Sequence, residues 1–245
     1  MKYLVVLSAL CVAAFGLPHD TKIVGGSNAN IEDFPYIVAV LIDGRYMCGG
    51  IILNQNSILT AAQCTIGRDH VRITVQAGNN RLGLGESFNV WFINEHPEYD
   101  PQTKENDLAV VRIYGSFTYS DKVNQVELVT QDWEVRPGIQ AKIAGWGKTH
   151  QSSPIMSEYL QTTVTYILSD EDCGAYYQDE REIGKSMICG LASGKGACHG
   201  DVGTPMLVNG YLIGIQSWGA SCATPGIPVV YSKISVNYDW IQSNL

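Results

Sequence analysis

Pro205-Met206-Leu207-Val208-Asn209-Gly210-Tyr211-Leu212-Ile213-Gly214-Ile215-Gln216-Ser217 decides the fold class. Two apolar runs flank a single Asn-Gly pair, the dipeptide that most readily takes positive φ at both centres of a tight hairpin turn. The stretch is predicted to form two strands, Pro205–Val208 and Tyr211–Ser217, joined by a two-residue loop. The same alternation of short β-rich runs and turn residues fills most of the chain. Further strands are expected at Tyr36–Ile42, Gly50–Leu53, Val71–Gln76, Phe88–Phe92, Leu108–Ile113, Gln140–Ala144, Leu160–Tyr166 and Val229–Ser232. Asp43-Gly44, Gly78-Asn79-Asn80 and Pro137-Gly138 separate them. Many short strands at this spacing predict an all-β sandwich or a pair of barrels. Ile234, Tyr238 and Ile241 recur at helical steps, so the C-terminal segment 233–245 is expected to be a helix.

The ends and the charge narrow the class. Met1–Gly16 reads as a secretory signal: Lys2, the apolar run Tyr3–Phe15, then small residues at the cut. That run is too short for a membrane span, which needs ~20 apolar residues. Residues 17–22 are read as a propeptide and 23–245 as the mature unit. Without the first 22 residues the chain keeps 14 basic and 23 acidic side chains, a net charge of −9. An acidic surface repels phosphate backbones, so nucleic acid is excluded as the expected partner.

Beyond Cys11 in the signal there are six cysteines, Cys48, Cys64, Cys173, Cys189, Cys198 and Cys222. An even number in an exported chain predicts three disulfides, but the spacing does not choose among the possible pairings. No cluster has zinc-ligand spacing, and neither metal nor cofactor is expected.

Six segments in order resemble the trypsin/chymotrypsin family of serine proteases. They are Ile23-Val24-Gly25-Gly26 after Lys22, Thr60-Ala61-Ala62-Gln63-Cys64, Asn106-Asp107-Leu108-Ala109, Gly145-Trp146-Gly147, Cys198-His199-Gly200-Asp201-Val202-Gly203-Thr204-Pro205, and Ser217-Trp218-Gly219. The resemblance implies two six-stranded antiparallel β-barrels, roughly 23–130 and 131–232, with a cleft between them. It also implies the pairs Cys48–Cys64, Cys173–Cys189 and Cys198–Cys222. By the same resemblance an activating protease cuts after Lys22, and the new Ile23 ammonium pairs with Asp201.

Within that pattern the chemistry departs from the family. Peptide hydrolysis on this scaffold needs a nucleophilic hydroxyl, a base and an orienting carboxylate. Asp107 matches the carboxylate. Gln63 stands at the histidine position, and a carboxamide accepts no proton near neutral pH. Val202 stands at the serine position and offers no nucleophilic atom. Losing nucleophile or base costs a triad enzyme about 10⁶ in turnover. The expectation from these residues is a chain that is not an enzyme, with Asp107 structural and satisfied by Gln63 and Ser217.

Gly200 remains from the oxyanion segment, while Thr204 replaces a glycine and is expected to disturb the backbone if that site needs positive φ. In the specificity pocket Ser217 and Gly219 match the family's edge. Gly196 replaces the aspartate that attracts Lys or Arg in trypsins, and Val229 replaces a wall glycine, so the pocket is expected to be narrowed. His70, His96, His150 and His199 are read as structural. The acidic run 169–182 is read as a solvated face.

The sequence most resembles mite trypsins and, among them, the catalytically inactive scabies-mite paralogues. This resemblance implies a secreted, extracellular protein that inhibits host complement by binding its components. The alternative is an active secreted endopeptidase with an unorthodox nucleophile.

Overall fold

The computed structural model describes residues 26–148, 153–192, 201–219 and 226–245. The chain opens with β1 (Ser27–Asn28), followed by β2 (Ile37–Ile42), β3 (Arg45–Ile52), β4 (Ser57–Thr60), β5 (Ile73–Ala77), β6 (Glu86–Glu95) and β7 (Ala109–Ile113). Strands β2-β3-β4-β7-β6-β5 close into one antiparallel barrel. After β8 (Glu127–Leu128) come β9 (Gln140–Gly145), β10 (Gln161–Ile167), helix α1 (Asp170–Tyr177), β11 (Met187–Leu191), β12 (Pro205–Val208), β13 (Tyr211–Gly219), β14 (Val229–Lys233) and helix α2 (Ile234–Ser243). Here β10-β11-β14-β13-β12-β9 close through the β9–β10 pairing into a second six-stranded barrel. β1 and β8 both lie within residues 23–130, yet β1 pairs with β10 and β8 runs parallel to β13. The barrels therefore share chain as well as surface.

Local chemistry accounts for the elements. In β5, Ile73, Val75 and Ala77 are buried while Thr74 and Gln76 are only partly so, the period of two that one packed face requires. Ile37, Ile51, Ile58, Leu59 and Leu108 fill the first barrel, and Leu160, Ile215, Tyr231 and Trp146 the second, all at most 2% exposed. Each such aliphatic side chain contributes about 1.5–3 kcal/mol by leaving water. The predicted hairpin forms: Val208 pairs with Tyr211, and Asn209 and Gly210 take φ 51° and 88°. Asp43-Gly44 does the same between Ile42 and Arg45, with φ 52° and 75°.

Besides the two-residue β1 and β8, two strands, β4 and β11, were not expected from the sequence. Both are short, lack turn dipeptides at their ends, and are strands because neighbours on both sides supply hydrogen bonds. The acidic run 169–182 proves to begin with a helix. Ser169 Oγ accepts from Asp172 N at 3.0 Å, and Asp170, Glu171 and Asp172 occupy the first turn. Carboxylates there meet the positive end of the helix dipole, which is why an acidic stretch folds locally. α2 buries Ile234, Asn237 and Ile241 along one side. Cys48–Cys64 and Cys173–Cys189 are disulfides, while Cys198 and Cys222 lie outside the described residues.

Gly203 has φ 84°, and a Cβ there would lie 2.3 Å from the Gly49 carbonyl oxygen and 2.6 Å from Thr60 Oγ1. Gly210 shares the backbone conformation (φ 88°) but faces open space. Gly203→Ala is expected to cost about 3 kcal/mol or more, and Gly210→Ala only about 1 kcal/mol, because only the first adds a clash to the strain. Urea denaturation of the two variants checks the difference.

Candidate functional site

The cleft between the barrels is built where the ends of β4, β7, β12 and β13 meet. A single-turn 3-10 helix, Ala62–Cys64, follows β4 and is tied to β3 by the Cys48–Cys64 disulfide. It places Gln63 over Asp107, two residues before β7. Gln63 N donates to Asp107 Oδ1 at 2.8 Å, and its side-chain Nε2 donates to Asp107 Oδ2 and, at 2.8 Å, to the Ser217 carbonyl. Ser217 Oγ donates to Asp107 Oδ2 at 2.5 Å. Asp107 is wholly buried. Three donors from two barrels thus solvate a carboxylate that water does not reach.

Ser217 reaches Asp107 because β13 carries an irregularity. Gln216 pairs with Tyr231 and Trp218 with Val230, leaving Ser217 as an extra residue between them. A bulge of this kind re-aims one side chain relative to regular alternation.

Val202 lies beside this network in a short loop held from both sides. Its carbonyl accepts from Gly49 N at 2.8 Å, and Gly203 N donates to the Gln216 carbonyl at 2.9 Å. The half-buried Val202 side chain packs against the core. The left-handed backbone falls at Gly203, while Thr204 does not have positive φ. The expected disturbance at Thr204 is therefore absent. Its Oγ1 donates to the Asp201 carbonyl at 2.6 Å, and its methyl packs on the bare backbone of Gly49. Buried Asp201 accepts from Gly147 N at 2.8 Å. Ile23, Gly196 and Gly200 lie outside the described residues.

The second-barrel wall holds contacts that the sequence did not disclose. Val229 is buried and sits between Gly190 of β11 and Gly219 of β13. The Tyr177 hydroxyl donates to the Pro228 carbonyl, and the ring meets Trp218 edge-on at 4.8 Å. The Arg181 guanidinium lies 4.7 Å from the centre of the Trp218 ring. The Trp218 indole N–H is buried without an acceptor among the described residues. The sequence signal for this wall was the Tyr176-Tyr177 pair inside the acidic run, but nothing there pointed to Trp218. Beyond Gln216, no described strand pairs with the edge of β13 opposite β14.

His96 packs on Trp240 at 4.6 Å and its Nδ1 accepts from Glu98 N, while His70 is beside Asp69 on the surface. Neither joins the Gln63 network, and His150 and His199 lie outside the described residues. Among the described residues no three His, Cys, Asp or Glu side chains converge as a metal site.

A family model described as Trypsin matches residues 23–241. Trypsin delta of Drosophila melanogaster is 33% identical over 253 residues, covering 100% of this chain and 99% of its own. Hypodermin-B of Hypoderma lineatum is 35% identical over 250 residues, covering 98% and 96%. The solved structure of neuropsin, a serine protease expressed in the limbic system of mouse brain, superposes with TM-score 0.82 at 28% identity, covering 90% of this chain and 98% of that one. These relatives correct the expectation that the chain is not an enzyme. Proteins sharing its whole length are named trypsins, and the superposed structure is titled a serine protease. What Gln63 and Val202 establish is narrower: neither side chain itself supplies a base or a nucleophile.

Gln63→Leu removes two donated bonds at similar volume and is expected to cost about 1–3 kcal/mol, much of it recovered in an Asp107→Asn background. A double-mutant cycle of urea midpoints measures that coupling. Burial pushes the Asp107 carboxyl above its ordinary value, against the pull of the Ser217 and Gln63 donors. A raised folded value means that Asp107's contribution is complete below the unfolded pKa, about 4, and is lost as pH rises through the folded one. The stability of Asp107→Asn relative to the parent should therefore improve as pH is raised from about 4 toward neutral. Denaturation series at both ends of that window check the sign.

Proposed function

Because this chain belongs to the trypsin family of serine proteases, we propose that it is a secreted protein that binds a protein partner along its protease-like cleft, host complement components being the partner class. One observation carries the reading. No described strand pairs with the Trp218–Gly219 edge on the side away from β14, while Gln63, at the centre, is tied by hydrogen bonds into both barrels. An unpaired strand edge takes up an extended segment through main-chain hydrogen bonds, which give affinity. The Met1–Gly16 leader supports secretion, and no described helix is long and apolar enough to cross a membrane. The complement partner is supported by the resemblance to the scabies-mite paralogues. Maturation belongs to the same proposal: an activating protease cuts after Lys22, and the Ile23 ammonium pairs with Asp201.

A second reading is a secreted endopeptidase whose nucleophile is not at position 202. Full-length relatives named trypsins favour it.

One preparation separates the two. Native protein, expected by N-terminal sequencing to begin at Ile23, is immobilised and offered purified complement components, then added to a serum complement-activation assay. Retention of a component and reduced activation are expected, with both weakened by Trp218→Ala. Labelling by a fluorophosphonate, or turnover across a peptide panel, would instead establish the endopeptidase.

A further inference from the structure

Arg181 follows α1 by four residues, and its guanidinium is fixed over the Trp218 ring in the cleft wall. Stacking on an indole face orients the flat guanidinium and lowers its freedom before any ligand arrives. Carboxylates surround it: Asp179, Glu180 and Glu182 on its own segment, and Asp100 on the facing loop of the first barrel. Yet among the described residues none of them comes within ion-pair distance of Arg181. The neighbouring cation Lys104 is engaged with Tyr99, whose hydroxyl it reaches at 3.1 Å. Among the described residues Arg181 is therefore a half-buried, oriented fork of donors with no acid of its own, beside the stretch of Trp218 and Gly219 that no described strand pairs on the side away from β14. The buried indole N–H of Trp218 is a further donor lacking an acceptor among the described residues.

We propose that Arg181 is a specificity determinant of the cleft, receiving one Asp or Glu side chain of the bound protein segment in a bidentate pair. This rests on the cleft-binding reading above and names the chemistry that the cleft selects. A fork-to-fork guanidinium–carboxylate pair is short, directional and stronger than a neutral hydrogen bond. The exposed acids around it act at longer range and are screened by salt. They set a limit on the ligand: a single carboxylate at contact distance is favoured, and an acidic run is repelled. Lysine at position 181 would keep the charge and lose the fork.

The test uses the mature protein and fluorescein-tagged pentapeptide amides in matched pairs, Glu against Gln, with the exchange moved along the peptide. Fluorescence anisotropy should find one position where Glu binds about tenfold tighter than Gln. That preference should vanish in Arg181→Gln, persist in part in Arg181→Lys, and be lost when all five positions are Glu. An unchanged denaturant midpoint, followed by far-ultraviolet circular dichroism, shows that the variants retain the fold. A Glu preference that survives Arg181→Gln, or peptides bound with no Glu preference, overturns the assignment and leaves cleft binding standing. If no peptide binds, cleft binding fails and the assignment fails with it.

Discussion

Asp107 places a carboxylate where no water reaches and where, among the described residues, no cation comes within ion-pair distance, Lys104 acting only at longer range. Transferring such a group from water is expensive unless its oxygens are taken by donors. The donors come from both barrels: the Gln63 backbone and side chain from the first, the Ser217 hydroxyl from the second. Meeting this requirement fixes the distance between β4 and β13 and so fixes the cleft. It also explains the bulge at Ser217. In regular alternation a one-residue displacement sends a side chain to the opposite face, and the extra residue is what turns Ser217 toward Asp107. A second contact, Ser232 Oγ to the Asp107 carbonyl at 3.0 Å, brings β14 into the same arrangement.

The loop Asp201–Thr204 repeats this logic with backbone groups. Gly49 and Gln216, one from each barrel, hold it by main-chain hydrogen bonds. The approach is close enough that Gly49 and Gly203 both need to lack a Cβ, since added atoms would meet Thr204 and the Gly49 carbonyl at 2.3 Å. Thr204 is compatible with the turn because the left-handed residue is Gly203. A threonine methyl then fills the space over Gly49, and its hydroxyl closes the turn onto Asp201. The centre of the cleft is thus stiff for reasons independent of which side chain occupies position 202.

The legible parts of the sequence were those governed by local rules. Asn209-Gly210 and Asp43-Gly44 specify their turns through positive φ, and alternation in Ile73–Ala77 specifies a packed face. β4 and β11 carry no such local mark, because four or five residues become a strand only when neighbours on both sides are already in place. The capped helix within 169–182 was hidden by its own charges, which look like solvent-facing residues until Ser169 is seen as the cap. Gln63, Asp107 and Ser217 could be associated only through the family resemblance, since long-range contacts leave no trace in spacing. The same resemblance invited too broad a conclusion. Gln63 and Val202 limit what two side chains do, whereas the activity of the chain is a property of every group in the cleft, and relatives spanning its full length are named trypsins.

Rigidity at the centre shifts discrimination between partners to the walls. The second-barrel wall is itself well anchored: Cys173–Cys189 ties α1 to β11, and Tyr177 joins α1 to Pro228 and Trp218. Arg181 extends from the end of this anchored unit, so its guanidinium inherits a defined position although its residue lies outside regular structure. A long, flexible side chain usually gives up much of its conformational freedom when it pairs. Here the Trp218 ring has already taken part of that freedom, and pairing costs less entropy than it would at an exposed arginine. The same indole that lines this stretch of β13 therefore also prepares Arg181 beside it, which couples main-chain recognition of an extended segment to recognition of its charge.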